Sequence, residues 1–154
     1  MREYRLEREQ WIPADLGRVF GFFADARNLA DITPPWLRFR VLTPAPLEMR
    51  EGLQLDYRIR LALLPLRWRT RVTEWKPPYG FVDVQERGPF SLWEHAHRFR
   101  PVKSEGGDGV LVTDVVRYAL PLGPVGRLAH GLAVRAMLAA IFDYRRASVR
   151  NWLG

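Results

Sequence analysis

The sequence predicts an α+β fold in which a seven-stranded antiparallel sheet curves around one long C-terminal helix. From residue 36 to residue 120, apolar and polar residues alternate in short runs separated by Pro- and Gly-rich turns, which is typical of antiparallel strands with one buried face. Residues 124–152 instead carry apolar side chains on a broad helical stripe with no internal proline. The length of 154 residues fits a single domain spanning residues 1–154.

One strand and two short helices are predicted before residue 36. Residues 2–12 alternate between charged and mostly apolar side chains, as in a strand with one solvent-facing side. Apolar residues then follow helical spacing at Leu16, Val19, Phe20 and Phe23. They predict an amphipathic helix over about residues 14–24, with Asp15 in its first turn. Residues 25–32 predict a shorter helix that must end at Thr33-Pro34-Pro35, because proline breaks a helix.

Six further strands form a predicted meander. They are expected at about residues 37–42, 53–61, 66–72, 81–86, 90–101 and 110–120. Proline or glycine marks the turns between them, near residues 44–46, 63–65, 76–80, 88–89 and 104–109. Because such a sheet needs one face covered, the helix over residues 124–152 should pack on it, with Gly131 as a candidate bend. The space between a curved sheet and this helix would form a pocket.

Composition restricts the classes of function. The chain has no cysteine, so disulfides and thiolate metal sites are excluded and a cytoplasmic location is expected. The N-terminus has no apolar signal core, and no run approaches the ~18 apolar residues of a membrane span. The net charge of +7 comes mainly from arginines scattered among acidic residues. Cross-strand ion pairs are therefore favoured over nucleic-acid binding, and a homodimer or an anionic partner on the outer sheet face stays open.

The stretch of residues 93–99 carries the main functional signal. Strand side chains alternate between two faces, so Trp93, His95, His97 and Phe99 share one face. A purely structural strand more often has valine or isoleucine at such positions. If the loop at residues 104–109 is symmetric, His97 lies opposite Asp114 and Trp93 opposite Tyr118. We interpret this face as the lining of a pocket whose histidines point toward the long helix.

The orientation of Asp83 and Gln85 depends on an irregularity in the sheet. The turn at Gly88-Pro89 would bring them beside His95 and Trp93. Simple pairing through residues 76–80 would instead turn both side chains outward. A β-bulge near Trp75 or Pro77 would resolve the conflict.

Four interpretations of the cluster stay open. Two histidines with a carboxylate can hold a metal ion. A histidine beside an aspartate can act as a general base, which makes His95, His97 and Asp114 the catalytic candidates. The same groups can fix the polar end of an apolar ligand, which we favour, or satisfy one another in a core. No metal is predicted, because only the two histidines are closely spaced and the third ligand depends on register. The chain has no nucleophile elbow, P-loop or dinucleotide motif, and no cofactor is predicted.

The predicted pocket draws residues from the strands, one loop and the long helix. The predicted ligand-binding residues are Trp36, Tyr57, Trp68, Thr70, Asp83, Gln85, Trp93, His95, His97, Phe99, Asp114, Tyr118, Leu132 and Met137. Trp36 either guards the mouth of the pocket or fills the core. The apolar turn at residues 61–66 is expected to pack on the helix or form a lid, with membrane contact as the alternative. His130 has no evident partner and is expected at the surface or rim.

Several short motifs together resemble a known family. They are Asn28-Leu29, Ile32-Thr33-Pro34-Pro35-Trp36-Leu37, Asp56-Tyr57-Arg58, Trp68-Arg69-Thr70, Trp75-Lys76-Pro77-Pro78, Phe81-Val82-Asp83-Val84-Gln85, Gly88-Pro89-Phe90 and Trp93-Glu94-His95-Ala96-His97. With the element order, they resemble the ligand-binding SRPBCC proteins of the START-like, helix-grip superfamily, beside pollen-allergen-like and polyketide-cyclase-like proteins. The resemblance implies a hydrophobic cavity between sheet and helix, and it favours the bulge that turns Asp83 and Gln85 inward. It carries over no catalytic residue.

Three functional hypotheses follow. The first is binding of a small, largely apolar molecule that is lipid-, quinone- or polyketide-like. The second is a cofactor-free cyclase, dehydratase or isomerase with His95 or His97 as general base. The third is an interaction module that uses the arginine-rich outer face of the sheet.

Overall fold

The elements follow the predicted order in a computed structural model that describes residues 1–44, 47–61, 63–104 and 106–154. The strands are β1 (Tyr4–Ile12), β2 (Arg40–Val41), β3 (Gln54–Leu61), β4 (Leu64–Lys76), β5 (Gly80–Arg87), β6 (Leu92–Ser104) and β7 (Gly107–Ala119). The helices are α1 (Leu16–Phe23) and α2 (Gly123–Leu153), and 3₁₀ turns occupy Ala26–Asn28 and Pro35–Leu37. Parts of the predicted turns at residues 44–46, 61–66 and 104–109 lie outside the described residues.

A seven-stranded antiparallel sheet has the order β1-β7-β6-β5-β4-β3-β2. Strands β2 to β7 form the predicted meander, and β1 pairs with β7 along its whole length. The predicted α+β fold with a long C-terminal helix is therefore confirmed. The first strand thus lies beside the strand that leads into α2, although the two are far apart in the sequence.

The segment before β3 is less regular than predicted. The expected helix over residues 25–32 reduces to the 3₁₀ turn Ala26–Asn28, because polar side chains bond to the local backbone. Asn28 donates to the Phe22 carbonyl and Thr33 to the Leu29 carbonyl. The expected strand over residues 37–42 reduces to β2, since the preceding 3₁₀ turn ends at Arg38 in the left-handed conformation, with φ of 48°.

Helix α1 begins two residues later than its pattern predicts, at Leu16. The Asp15 carboxylate accepts a hydrogen bond of 2.9 Å from the Arg18 backbone N–H, so Asp15 is the N-cap rather than a first-turn residue. The helix buries Val19, Phe20 and Phe23. Phe20 and Phe23 both pack on Phe99 of β6, with ring centroids 5.5 and 5.3 Å apart.

Helix α2 covers the concave face of the sheet. It contains a π turn at His130–Val134, which includes the glycine predicted to mark a bend. The segment Arg135–Leu153 buries Leu138, Phe142, Val149 and Leu153. By length and composition α2 is also apolar enough to cross a membrane, which the sequence analysis did not expect. Its buried residues belong to the core beneath the sheet, so it serves here as the core helix of the fold.

The outer face of the sheet carries the predicted cross-strand ion pairs. Arg69 binds Asp56 at 2.8 Å, and Arg98 binds Glu74 at 2.8 Å. Other pairs join Arg71 to Glu86 and Arg117 to both Glu3 and Glu94. Each exposed pair contributes little to stability, but together they neutralise part of the arginine charge on this face.

Candidate functional site

The pairing of β6 with β7 brings the two histidines beside an aspartate. His97 lies opposite Asp114, His95 opposite Val116 and Trp93 opposite Tyr118, which confirms the predicted register. Both histidines are buried. They face α2: the ring centroids of His95 and Phe142 are 5.5 Å apart, and Arg145 Nη2 lies 3.4 Å from His97 Nδ1. The predicted orientation of the histidines toward the long helix is confirmed.

A β-bulge turns Asp83 toward the same face. The pairing of β4 with β5 shifts between Val72 and Glu74, so Thr73 is an extra residue in β4. The bulge was predicted near Trp75 or Pro77, and it lies two residues before Trp75. It aims the Asp83 carboxylate inward, where Oδ2 lies 2.8 Å from His97 Nε2 and Oδ1 accepts from the Thr70 hydroxyl at 3.3 Å.

Two buried histidines and three side chains that are 13–18% exposed form one polar network. Asp114 Oδ1 lies 2.8 Å from His95 Nε2, 3.5 Å from His97 Nδ1 and 3.6 Å from Arg145 Nη2. The rings of His95 and His97 stack with centroids 3.7 Å apart, and Phe81 stacks on the other side of His97 at 4.1 Å. Two carboxylates, one guanidinium and two imidazoles are thus connected from Asp83 to His95.

The electrostatics of the network fix its charge state. Burial alone raises the pKa of Asp114, but the Arg145 guanidinium and the His95 hydrogen bond outweigh it and hold this pKa well below its usual range. Burial likewise raises the pKa of Asp83, and its hydrogen bond to His97 reverses the shift, so the net pKa is lowered. Burial lowers the pKa of His97 to about 4, with His95 and Arg145 acting in the same direction. At neutral pH both aspartates are ionised and His97 is neutral.

These charge states determine the tautomers. An ionised carboxylate only accepts hydrogen bonds, so His95 Nε2 donates to Asp114 and His97 Nε2 donates to Asp83. His97 Nδ1 then accepts from Arg145, which leaves His97 with both nitrogens occupied. Within the described part of the chain, His95 Nδ1 has no hydrogen-bond partner. Of the two imidazoles, only that of His95 offers a nitrogen to a bound molecule.

A cavity of about 180 Å³ lies against this network, between the sheet and α2. Its apolar wall includes Leu55, Ile59, Trp68, Val72, Phe81 and Trp93 of the sheet, Met137, Leu138, Ile141 and Phe142 of α2, and Ile32, Leu37 and Phe39 of the segment before β3. Its polar wall includes Tyr57, Thr70, Asp83, His95, His97 and Arg145. The indole Nε1 of Trp68 is buried without a hydrogen-bond partner among the described residues, which is costly unless a bound acceptor satisfies it.

Eight of the predicted ligand-binding residues line this cavity. They are Tyr57, Trp68, Thr70, Asp83, Trp93, His95, His97 and Met137. Asp114 lies behind the histidines and positions His95 instead of lining the cavity. Phe99 is buried in the core against α1. Gln85 binds the backbone of Phe90 through both side-chain atoms, which closes the turn between β5 and β6.

Three other predicted residues lie outside the cavity lining. Trp36 is 51% exposed in the 3₁₀ turn, so the alternative in which it fills the core is wrong. Leu132 is 76% exposed because the π turn places it on the outer side of α2. Tyr118 is buried, and its hydroxyl is bonded to His130 Nε2 at 2.7 Å. The expectation of a surface or rim position for His130 is wrong, since that ring is buried and stacks on Tyr4.

The apolar turn between β3 and β4 departs from the preferred packing on the helix at Leu63 and Leu64, whereas Leu61 and Leu66 at its ends pack against the core cluster that includes Leu138 and Phe142 of α2. Leu63 is 83% exposed and Leu64 is 61% exposed. Packing against α2 is therefore wrong for these two side chains, whereas the lid and the membrane contact stay predictions.

Sequence reasoning missed Arg145, the one cation in the network. The signal was present: Leu138, Phe142, Arg145 and Val149 follow helical spacing on the buried stripe of α2. A charged residue on such a stripe needs a buried partner, and Asp114 supplies it. The competing signal is its place near the end of the helix with Arg146 and Arg150, where cations are favoured by the helix dipole.

The two histidines and Asp83 also fulfil a distance criterion for a metal site. One ligand atom from each of Asp83, His95 and His97 lies within 4.8 Å of the others. However, both Nε2 atoms are engaged with carboxylates, and His97 Nδ1 is engaged with Arg145. The adjacent Arg145 adds repulsion for a cation. The arrangement is better suited to hydrogen bonding than to chelation.

Comparison with known proteins identifies related sequences and structures. Residues 12–142 match the family model for polyketide cyclase/dehydrase and lipid transport proteins. No curated protein sequence matches the chain. A crystal structure of a protein from Thermus thermophilus superposes with a TM-score of 0.61 at 23% identity, covering 96% of this chain and 97% of that chain.

Two further solved structures show the same architecture. A Chromobacterium violaceum protein gives a TM-score of 0.69 at 16% identity over 99% of this chain and 98% of its own. A point mutant of norcoclaurine synthase from Thalictrum flavum, solved with a transition state analogue, gives 0.65 at 14% identity. That match covers 96% of this chain and 94% of the synthase chain. At such low sequence identities, the structural similarity to these proteins establishes the fold alone.

Proposed function

Because the chain belongs to the polyketide cyclase/dehydrase and lipid transport family, we propose that it binds a small, largely apolar molecule between the sheet and α2. The observation that carries this proposal is the cavity itself, which combines a continuous apolar wall with one polar wall. Trp68, which lines this cavity, also has a buried indole N–H without a partner among the described residues. These features fit a ligand that is apolar over most of its surface and carries oxygen at one end.

The size of the cavity limits the ligand. An apolar cavity of about 150 Å³ is enough to hold benzene, and this cavity measures about 180 Å³. It therefore suits one aromatic or alicyclic ring system, or the terminal segment of a longer lipid, in the present side-chain conformations. A whole lipid or a large polyketide would require the side chains on α2 or the segment before β3 to move.

The polar wall specifies the chemistry of the oxygen end. Trp68 Nε1 is a donor, so it would bind a carbonyl, ether or hydroxyl oxygen. In a neutral His95 ring whose Nε2 donates to Asp114, Nδ1 is an acceptor and would bind a hydroxyl hydrogen. A phenol, hydroxyquinone or similar hydroxylated ring offers both groups.

Native mass spectrometry of freshly purified protein tests the proposal directly, since a co-purifying small molecule would identify the ligand class. A titration with 2-naphthol, followed by the fluorescence of Trp68 and Trp93, provides a defined probe. Met137→Trp should fill part of the cavity and weaken naphthol binding by about tenfold or more. Ala136→Trp is the matched control, because Ala136 is the exposed neighbour on the same helix. Equal binding to both variants would contradict the assigned cavity.

The enzymatic alternative now depends on a single imidazole. A cofactor-free cyclase, dehydratase or isomerase would need a base with a free nitrogen in the cavity, and only His95 of the two candidates has one. His95→Gln separates the functions: a binder should keep most of its affinity for 2-naphthol, whereas an enzyme should lose most of its turnover. A cytoplasmic location and a homodimer stay predictions.

A further inference from the structure

A second cleft of about 640 Å³ lies between β1 and α2, and it shares no lining residue with the apolar cavity. Its wall is strongly basic, with Arg2, Arg5, Arg8, Arg127 and Arg135. Glu7 is the one acidic residue in that lining. The cleft is unrelated to the proposed ligand site, and its composition points to a different ligand.

Three of the arginines are available to a ligand. Arg5 binds Glu7 at 3.1 Å, and Arg8 lies 3.6 Å from Asp143. Among the described residues, Arg2, Arg127 and Arg135 make no ion pair, and all three are exposed. Like charges around one concave surface repel each other and concentrate a positive potential there, which an anion would relieve.

The floor of the cleft is rigid and aromatic. The His130 ring is buried, stacks on Tyr4 with centroids 3.5 Å apart and is bonded to the Tyr118 hydroxyl at 2.7 Å. Burial lowers the pKa of His130, and the charges of Arg135 and Arg2 lower it further. The ring is therefore held as a neutral, fixed platform beneath the guanidinium groups.

The π turn places the helix arginines over this floor. In a regular α-helix, residues five apart differ in direction by about 140°. Here the Arg135 backbone N–H donates to the His130 carbonyl five residues earlier, so Arg135 returns to the side of the helix that carries His130. Such π turns cost helical regularity and often occur at functional sites. The irregularity of α2 thus brings Arg127, His130 and Arg135 to the same cleft.

We propose that this cleft is a binding site for a phosphate group, presented either by a small phosphorylated molecule or by a phospholipid headgroup. Arginine is the preferred partner for phosphate because its planar guanidinium binds two oxygens at once. A phosphate dianion would offset the three unpaired cations better than a carboxylate. The exposed Leu128 and Leu132 on the adjacent surface of α2 make the headgroup a realistic source.

Titration calorimetry of the full chain with inorganic phosphate tests the free-ligand source. Sedimentation with phosphatidylcholine vesicles, with and without phosphatidic acid, tests the headgroup. The double variant Arg127→Gln/Arg135→Gln should weaken whichever binding is found by about tenfold or more. Arg150→Gln, an exposed position on the same helix outside the cleft, should leave it within about twofold.

The outcomes distinguish free phosphate from a lipid headgroup and also show whether the cleft binds phosphate at all. Binding to phosphate as well as to acidic vesicles supports a general phosphate site, and binding to acidic vesicles alone supports the headgroup. Binding to neither probe overturns the proposal, as does an equal loss in Arg150→Gln. If the double variant does not fold, the two single variants replace it in the same comparison.

The titration of His130 gives an independent readout by NMR. A bound anion beside the ring favours the imidazolium, so saturating phosphate, or acidic vesicles where only these bind, should raise the pKa of His130. The groups that face this ring are Arg2, Arg135, Tyr4 and Tyr118. An unchanged pKa at saturation would show that the anion binds elsewhere and would overturn the assignment.

Discussion

Replacing Arg145 with methionine removes the single cation from the buried network while keeping most of the side-chain volume. The guanidinium lies 3.6 Å from Asp114 Oδ1, and an effective dielectric of 20 gives an attraction of about 4.6 kcal/mol at that distance. Breaking a buried ion pair from one side typically costs about 3–5 kcal/mol. Arg145 Nε is a buried donor without a hydrogen-bond partner among the described residues. Removing it with the side chain eliminates this unfavourable group and offsets part of the cost of breaking the ion pair. We expect Arg145→Met to lower the free energy of unfolding by about 3 kcal/mol at pH 7.

The cost of this substitution should fall in mildly acidic solution. Arg145 lowers the pKa values of both His97 and Asp114, so both pKa values rise when it is absent. The variant's native state then takes up protons at a higher pH than the wild-type native state, and these protons replace part of the missing positive charge. Since the unfolded states bind protons alike, the difference in stability between the two proteins decreases as the pH falls from 7 toward 5.

Urea denaturation of both proteins at pH 7 and pH 5, followed by circular dichroism, measures both effects. Arg146→Met is the matched control, because Arg146 is the exposed neighbour on α2, and its effect should stay within about 0.5 kcal/mol. A double-mutant cycle with Asp114→Asn isolates the pair and should show coupling of about 2 kcal/mol or more. A cost for Arg145→Met below about 1 kcal/mol, or a cost independent of pH, would refute the ionised network described above.

Three further predictions address the network, the cavity and the backbone. The pKa of His97 is about 4 in the folded protein and 6.5 as an ordinary side chain, so the unfolded state binds this proton first as the pH falls. The free energy of unfolding should therefore fall by roughly 3 kcal/mol between pH 6.5 and pH 4. His97→Gln should reduce this pH dependence in urea denaturation. His95→Gln should reduce 2-naphthol affinity by less than about tenfold, and a complete loss of fluorescence quenching in a folded variant would contradict a modest role in binding. Gly126→Ala should destabilise the fold by about 2 kcal/mol or more because its Cβ would overlap the Pro121 carbonyl oxygen, whereas Gly21→Ala, which meets no neighbour, should stabilise α1 slightly in thermal melts.

Much of the site was predictable because strand geometry is regular. Side chains alternate along every strand, so Trp93, His95 and His97 had to share a face. A short hairpin loop sets the register, so the pairing of His97 with Asp114 followed from counting residues. The long helix was equally visible, since its apolar stripe continues over many turns.

Irregularities were harder to locate because they cost little and depend on neighbours. The bulge at Thr73 was inferred from a conflict between faces, but its position was displaced by two residues from the nearer predicted one. The short helix expected after α1 did not form, because polar side chains offered the backbone other hydrogen bonds. The π turn in α2 had no sequence signal stronger than Gly131.

The sequence by itself determined the α+β class, the antiparallel meander, the covering helix and the face that carries the two histidines, because each depends on local periodicity. Only the tertiary structure decided which groups close the network. Arg145 comes from α2 and Asp83 from β5, and their contacts depend on how the helix lies over the sheet and on one extra residue in β4. The same packing places the Tyr118 hydroxyl against His130, whereas the sequence predicted it in the apolar cavity. Long-range contacts of this kind arise from the docking of whole elements, which local pattern does not encode.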